Sequence, residues 1–283
     1  MKKNGFRSFS FWIIFFLLTS PVYSAVSHEK MMDLVQRQES ESLLYAQQNG
    51  AVLTPVNNER SFILWWQSKD FDPSRDTVFF SLHDRGGWVT KDFQAWHPRL
   101  TKRNYAYIGL QWWYGGGKGL RGYIQPAEIY RLIQDALEKQ EIPRGHVIFH
   151  GVGFGSSNSY AVTYFDQLQE TPYFAMTIAD GGELQTDFPP NHAFLDLRPD
   201  LLVFERAHWI LYCSEKDPEN QNLCEKMEFT KSKLILRGAH IERLIRDSSG
   251  NPEGMMSSEI LEPVFDSANK MIAKNNSNPP KPS

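Results

Sequence analysis

Cysteine is scarce in this 283-residue chain, which also has no basic excess and no long apolar run. Lys and Arg number 30 against 33 Asp and Glu, a net charge of −3. Without a positive surplus the chain is a poor match for a nucleic-acid partner. Its one strongly apolar run, Phe11–Leu18, is eight residues long. A bilayer-spanning helix needs about 20, so no stable membrane span is expected. No repeat at solenoid periods occurs. The hydrophobic fraction of 41% and the aromatic fraction of 13% exclude a disordered chain, a collagen-like fibre and a coiled coil.

The N-terminus carries an export pattern. Lys2, Lys3 and Arg7 precede the apolar run, and Val22 and Ser24 supply small residues at the −3 and −1 positions of a cleavage site. A secretory signal peptide over residues 1–24 is therefore expected, and with it a periplasmic or extracellular protein. Cleavage leaves 27 basic against 33 acidic residues, a net charge of −6, which argues against anionic partners. Cys213 and Cys224 then meet an oxidising compartment, where a disulfide between them is expected over two unpaired thiols. No histidine pair lies beside them, so they make a poor zinc site.

Residues 25–50 read as a helical or loose leader. Strand-like runs follow at Phe62–Trp66, Thr77–Leu82, Tyr105–Trp113, His146–His150, Phe174–Ile178, Trp209–Cys213 and Ile241–Ile245. Helical periodicity marks Pro126–Lys139, with Pro126 suited to the first helical position, then Ser156–Gln169, Lys226–Leu236 and Glu259–Ile272. Strands alternating with helices predict an α/β domain over residues 51–274. Its central sheet would have about eight mostly parallel strands with helices on both faces. The first two strands lack a helix between them, which predicts an antiparallel start. The tail, residues 275–283, is expected to be disordered.

The most informative segment is Val147–Tyr160, VIFHGVGFGSSNSY. Gly151, Gly153 and Gly155 form a turn between a buried strand and a helix. A dinucleotide fingerprint would need glycine where Ser156 stands, and a phosphate loop would need a lysine that is absent. The best fit is a strand–turn–helix of the G-x-S-x-G kind with Gly153 at the central position. A second segment, Ser81–Trp88 (SLHDRGGW), also follows a strand.

Together these motifs resemble the α/β-hydrolase superfamily, near its secreted esterases and polyester-depolymerase-like members. The resemblance runs from about Phe62 to Ile272. It implies that Gly153 stands at the nucleophile position, and an apex of that kind predicts φ above zero there. His83, Gly86 and Gly87 match the oxyanion segment, whereas Asp84 and Arg85 depart from it. With Phe154, these loop residues are the oxyanion and pocket candidates. The superfamily orders its triad Ser, Asp or Glu, His. Asp217 is the acid candidate, with Glu215 a weaker alternative. The base should fall in Asp247–Ser258, which holds no histidine, and none follows His240.

Glycine has no oxygen with which to form an acyl-enzyme, and without an imidazole no serine is activated. The expectation is an exported hydrolase-fold protein that binds a ligand or partner without catalysis and without a cofactor. Two rivals stand beside it. One is a working serine-type hydrolase of esters or related bonds, with displaced residues such as Ser156 and His83. The other is a structural or interaction module. Ser156, Ser157 and Ser159 read more simply as N-caps of their helix. His83, Asp84 and His150, with His97 nearby, could converge at the carboxyl ends of the strands, but no metal is expected there. Trp112 and Trp113 stand before a glycine run, GGGKG. They read either as core or as an aromatic wall for a small apolar or sugar-like ligand. Placed on a strand, they would face opposite sides.

Overall fold

The computed structural model describes residues 30–114, 122–198, 200–217, 220–249 and 254–277. The expected signal peptide, the GGGKG run and the 250–253 stretch lie outside the described residues. The chain runs α1 (Met31–Gln38), α2 (Ser40–Gln48), β1 (Val52–Val56), β2 (Ser61–Gln67), β3 (Thr77–Leu82), α3 (Val89–Leu100) and β4 (Tyr105–Leu110). It continues through α4 (Pro126–Lys139), β5 (Val147–Val152), α5 (Phe154–Gln167), β6 (Phe174–Asp180) and α6 (His192–Leu195). The last elements are β7 (His208–Ser214), α7 (Leu223–Leu236), β8 (His240–Asp247) and α8 (Ser258–Ser277).

One eight-stranded sheet has the order β1-β2-β4-β3-β5-β6-β7-β8. β2 is antiparallel to β1 and β4, and all pairings from β4 to β8 are parallel. The central strands read as mostly apolar runs because helices cover both of their faces: every residue of β3 is buried. On one face Phe79 and Ile148 pack with Trp96 of α3 and Phe265 of α8, and α1 and α2 join that layer through Val35 and Leu43. On the other, Val78, Phe80 and Phe149 meet Ile129, Ile133 and Leu137 of α4. A third cluster joins Tyr160 of α5, Trp209 of β7 and Met227 of α7.

The antiparallel start holds, but through β1 and β4. β1 and α3 were not expected. Pro55 interrupts the β1 pattern and is tolerated because β1 is an edge strand. Pro98 disguises α3, which continues through it. The expected strand Tyr105–Trp113 ends at Leu110, and α5 begins at Phe154 rather than Ser156. α7 starts at Leu223, and α8 extends to Ser277, into the tail expected to be disordered.

Asp166, fully buried near the end of α5, ties that helix to β6. Its carboxylate accepts hydrogen bonds from Tyr173 N (2.8 Å), Phe174 N (3.1 Å) and Tyr130 Oη (3.2 Å). Burial outweighs these donors and pushes the carboxyl up to about 6. The folded state therefore holds this proton more tightly than the unfolded chain. Stability from this group is present at low pH and falls as pH rises from about 4 to 6, by on the order of 3 kcal/mol. Urea unfolding across that range should show this slope in the wild type and lose it in Asp166→Asn. Parallel curves would contradict the assignment.

Candidate functional site

At the carboxyl end of β5 the chain turns through Gly153 (φ 55°, ψ −117°), which caps α5. The expected positive φ is met, in a region that disfavours any residue with a Cβ. Gly153 N donates to Asp180 O (2.8 Å), and Ser157 N donates to Gly153 O (3.1 Å). Gly155 lets the helix start lie against the end of β3, where a Cβ would collide with the carbonyl oxygens of Leu82 and His83.

The loop after β3 does something no local pattern announces. The Asp84 side chain reaches across 70 residues of sequence, and its Oδ1 accepts the Phe154 N–H at 2.7 Å. A Cβ on Gly153 would collide with Asp84 Oδ1 and Cγ. The space over the apex is thus filled by a carboxylate, and the first helical N–H is already paired. Such an N–H is a natural anion partner, because it sits at the positive end of a helix. Gly86 has φ 78°, and the Gly87 N–H turns back to Asp84 O at 2.9 Å.

His83 is buried, and its Nδ1 donates to Asp84 O at 2.7 Å. Its Nε2 is a buried acceptor with no partner. Desolvation lowers its proton affinity, so the ring stays neutral. The other described histidines lie elsewhere. His97 meets Tyr45 Oη at 2.9 Å and packs edge-on against Trp66. His146, His208 and His240 sit at the amino ends of β5, β7 and β8, away from the turn. His192 pairs with Asp196 on α6.

His150 is fully buried between Ser81 Oγ (3.2 Å) and Asp180 Oδ2 (3.3 Å). The three form a Ser–His–Asp chain of the catalytic residue types. Ser81 is fully buried as well, while the Asp180 side chain is 14% exposed. The expected convergence of His83, Asp84, His150 and His97 does not form. Among the described residues no group of three or more His, Cys, Asp or Glu is arranged to hold a metal.

Asp217 follows β7, and its Oδ1 accepts Asn220 N at 2.7 Å. Glu215 pairs with Arg246 at 3.1 Å. Ser156 is fully buried and donates to Gly182 O at 3.0 Å. It sits inside α5, as do Ser157 and Ser159, so none of them is an N-cap: that position belongs to Gly153. Cys213 and Cys224 are bonded as expected, with Cα atoms 5.3 Å apart.

A cleft of about 330 Å³ opens beside the turn, and Trp112, Trp113, Tyr123, Phe154 and Phe188 line it together with Arg85. Both tryptophans border it because they lie beyond the end of β4, where side chains no longer alternate. Trp112 is fully buried, and its Nε1 donates to His83 O at 2.8 Å. Trp113 is half-buried and nearly parallel to Tyr123, their planes 15° apart and centroids 6.2 Å apart. Buried Gln111 joins the two loops: its Oε1 accepts Val89 N (2.9 Å), and its Nε2 donates to Trp113 O (2.9 Å). Sequence reasoning missed Gln111, Tyr123 and Phe188. The spacing of Trp113 and Tyr123 across the glycine run, bridged as an antiparallel pair, was the one available signal.

No family model and no curated protein matches the chain. Solved structures do. An esterase from Rhizomucor miehei superposes with a TM-score of 0.60 at 10% identity, over 86% of this chain and 91% of that one. An esterase from the archaeon Pyrobaculum calidifontis gives 0.57 at 13% identity, over 86% and 93%. A phospholipase/carboxylesterase from Dyadobacter fermentans gives 0.51 at 16% identity, over 73% and 95%. At these identities the likeness is one of fold. With its strand order and its turn after β5, the chain has the α/β-hydrolase fold.

Proposed function

We propose that this is an exported hydrolase-fold protein that has lost serine-esterase chemistry and uses the aromatic cleft to bind a small ligand. The observation that carries this reading is the Asp84 carboxylate over Gly153. The turn has no hydroxyl to attack a carbonyl, and Phe154 N–H, which would stabilise a developing oxyanion, is already bonded to Asp84. His83, beside the turn, has Nδ1 tied to a carbonyl and is buried, and His150 on β5 is fully buried as well. Ser156, the substitute nucleophile, is buried and bonded to Gly182 O. Export rests on the N-terminal pattern and on the Cys213–Cys224 bridge, which suits an oxidising compartment. No helix among the described residues is long and apolar enough to cross a membrane.

Mature protein should show no turnover of p-nitrophenyl butyrate above the background hydrolysis of the buffer. Turnover that disappears in Ser156→Ala would overturn the proposal. A binder is stabilised by mass action, so an occupant of the cleft should raise Tm with increasing concentration.

A further inference from the structure

We infer that the occupant of the cleft is a neutral carbohydrate, laid with a ring face against the row formed by Trp113, Tyr123 and Phe188. This inference rests on the binding function proposed above and narrows it to a ligand class. Trp113 and Tyr123 are near-parallel, and Phe188 continues the row, tilted 30° from Tyr123 at 6.2 Å between centroids. All three are only half-buried, so apolar ring surface meets the cleft. Exposed aromatic ring surface suits a ligand that is itself apolar on one side.

The rest of the lining decides the class. Arg85, Gln185 and Asp187 stand around the aromatic row, bringing a cation, a neutral amide and an anion. A purely apolar occupant would strip water from these groups and return no hydrogen bond. An anion would meet Asp187, and a cation would meet Arg85, whose guanidinium already lies 3.9 Å over the Phe154 ring. A neutral molecule with an apolar face and a rim of hydroxyls, each both donor and acceptor, satisfies all of them. Asn158 borders the same cleft at 2% exposure, with its Nδ2 donating to Phe154 O at 2.8 Å.

The experiment is to screen mature protein on an array of unmodified oligosaccharides, then titrate the strongest hit by calorimetry. Toluene and p-nitrophenyl butyrate serve as apolar and ester comparisons. Binding of a neutral saccharide is expected, with Kd raised at least tenfold by Trp113→Ala or Tyr123→Ala. Leu236→Ser, an exposed change on α7, should leave Kd unaltered. Thermal melts of each variant separate lost binding from lost folding. If Trp113→Ala does not fold, Asp187→Ala, at an exposed lining residue, gives the same readout. No saccharide binding, or saccharide binding untouched by the folded variants, overturns the inference. Saturable binding of toluene alone overturns it while the broader binding function stands. Hydrolysis of p-nitrophenyl butyrate that is lost in Ser156→Ala overturns the binding function itself.

Discussion

Gly153→Ser should give a protein about 2 kcal/mol less stable than wild type and no more active on esters. Two effects add. A side chain at φ 55° is strained, by about 1–2 kcal/mol. Its Cβ also takes the place of the Asp84 carboxylate, so the bond to Phe154 N must break. Asp84→Ala alone loses the same bond. The double variant is therefore expected to fall short of the sum of the single changes by about 1 kcal/mol, the mark of two residues sharing one contact. Urea unfolding of the four proteins measures this coupling. Additivity would mean that Asp84 does not fill the turn in solution. Turnover should stay at background in all four, because a hydroxyl without an imidazole is not activated. Vigorous activity in Gly153→Ser would reveal a base that the described residues do not supply.

The second large effect concerns the disulfide. Cys213 and Cys224 lie 11 residues apart, both buried, and join the end of β7 to the first turn of α7. The loop they close carries Asp217. Closing a loop of this size restricts the unfolded chain, and its loss costs about 2–4 kcal/mol. For a chain of this size that lowers Tm by roughly 5–15 °C. The paired change Cys213→Ala, Cys224→Ala suits the apolar setting, since serine would bury two hydroxyls in the cluster around Trp209 and Met227. Differential scanning calorimetry of the two proteins checks the size. An unchanged Tm would mean that the bridge does not form in the protein.

Much of the sheet was legible because its central strands are buried on both faces. β3, β5, β6 and β7 therefore appear as mostly apolar runs. The turn at Gly153 was legible for a local reason: glycines two apart between a strand and a helix meet a backbone requirement. What failed was less local. β1 and α3 carry Pro55 and Pro98, which strand and helix patterns treat as breaks. Trp112 and Trp113 were assigned opposite directions from a strand that had already ended at Leu110. The three serines of α5 looked like caps because the helix start was placed two residues late.

Of the site, the sequence offered the cleft residues Trp112, Trp113 and Phe154, and at the turn an absence. Sequence places glycine at the apex and leaves Asp247–Ser258 without a histidine. It does not place Asp84 over that apex, because the contact joins loops from two strands and depends on how β3 and β5 pair. The Ser81–His150–Asp180 chain was hidden for the same reason, since its members come from three neighbouring strands.

Intact-mass spectrometry of mature protein after incubation with a fluorophosphonate bears most directly on the vacancy at Gly153, since this reagent labels only an activated serine. The expected spectrum shows the unmodified mass alone. A stoichiometric adduct that disappears in Ser156→Ala would mean that the protein is a working serine hydrolase.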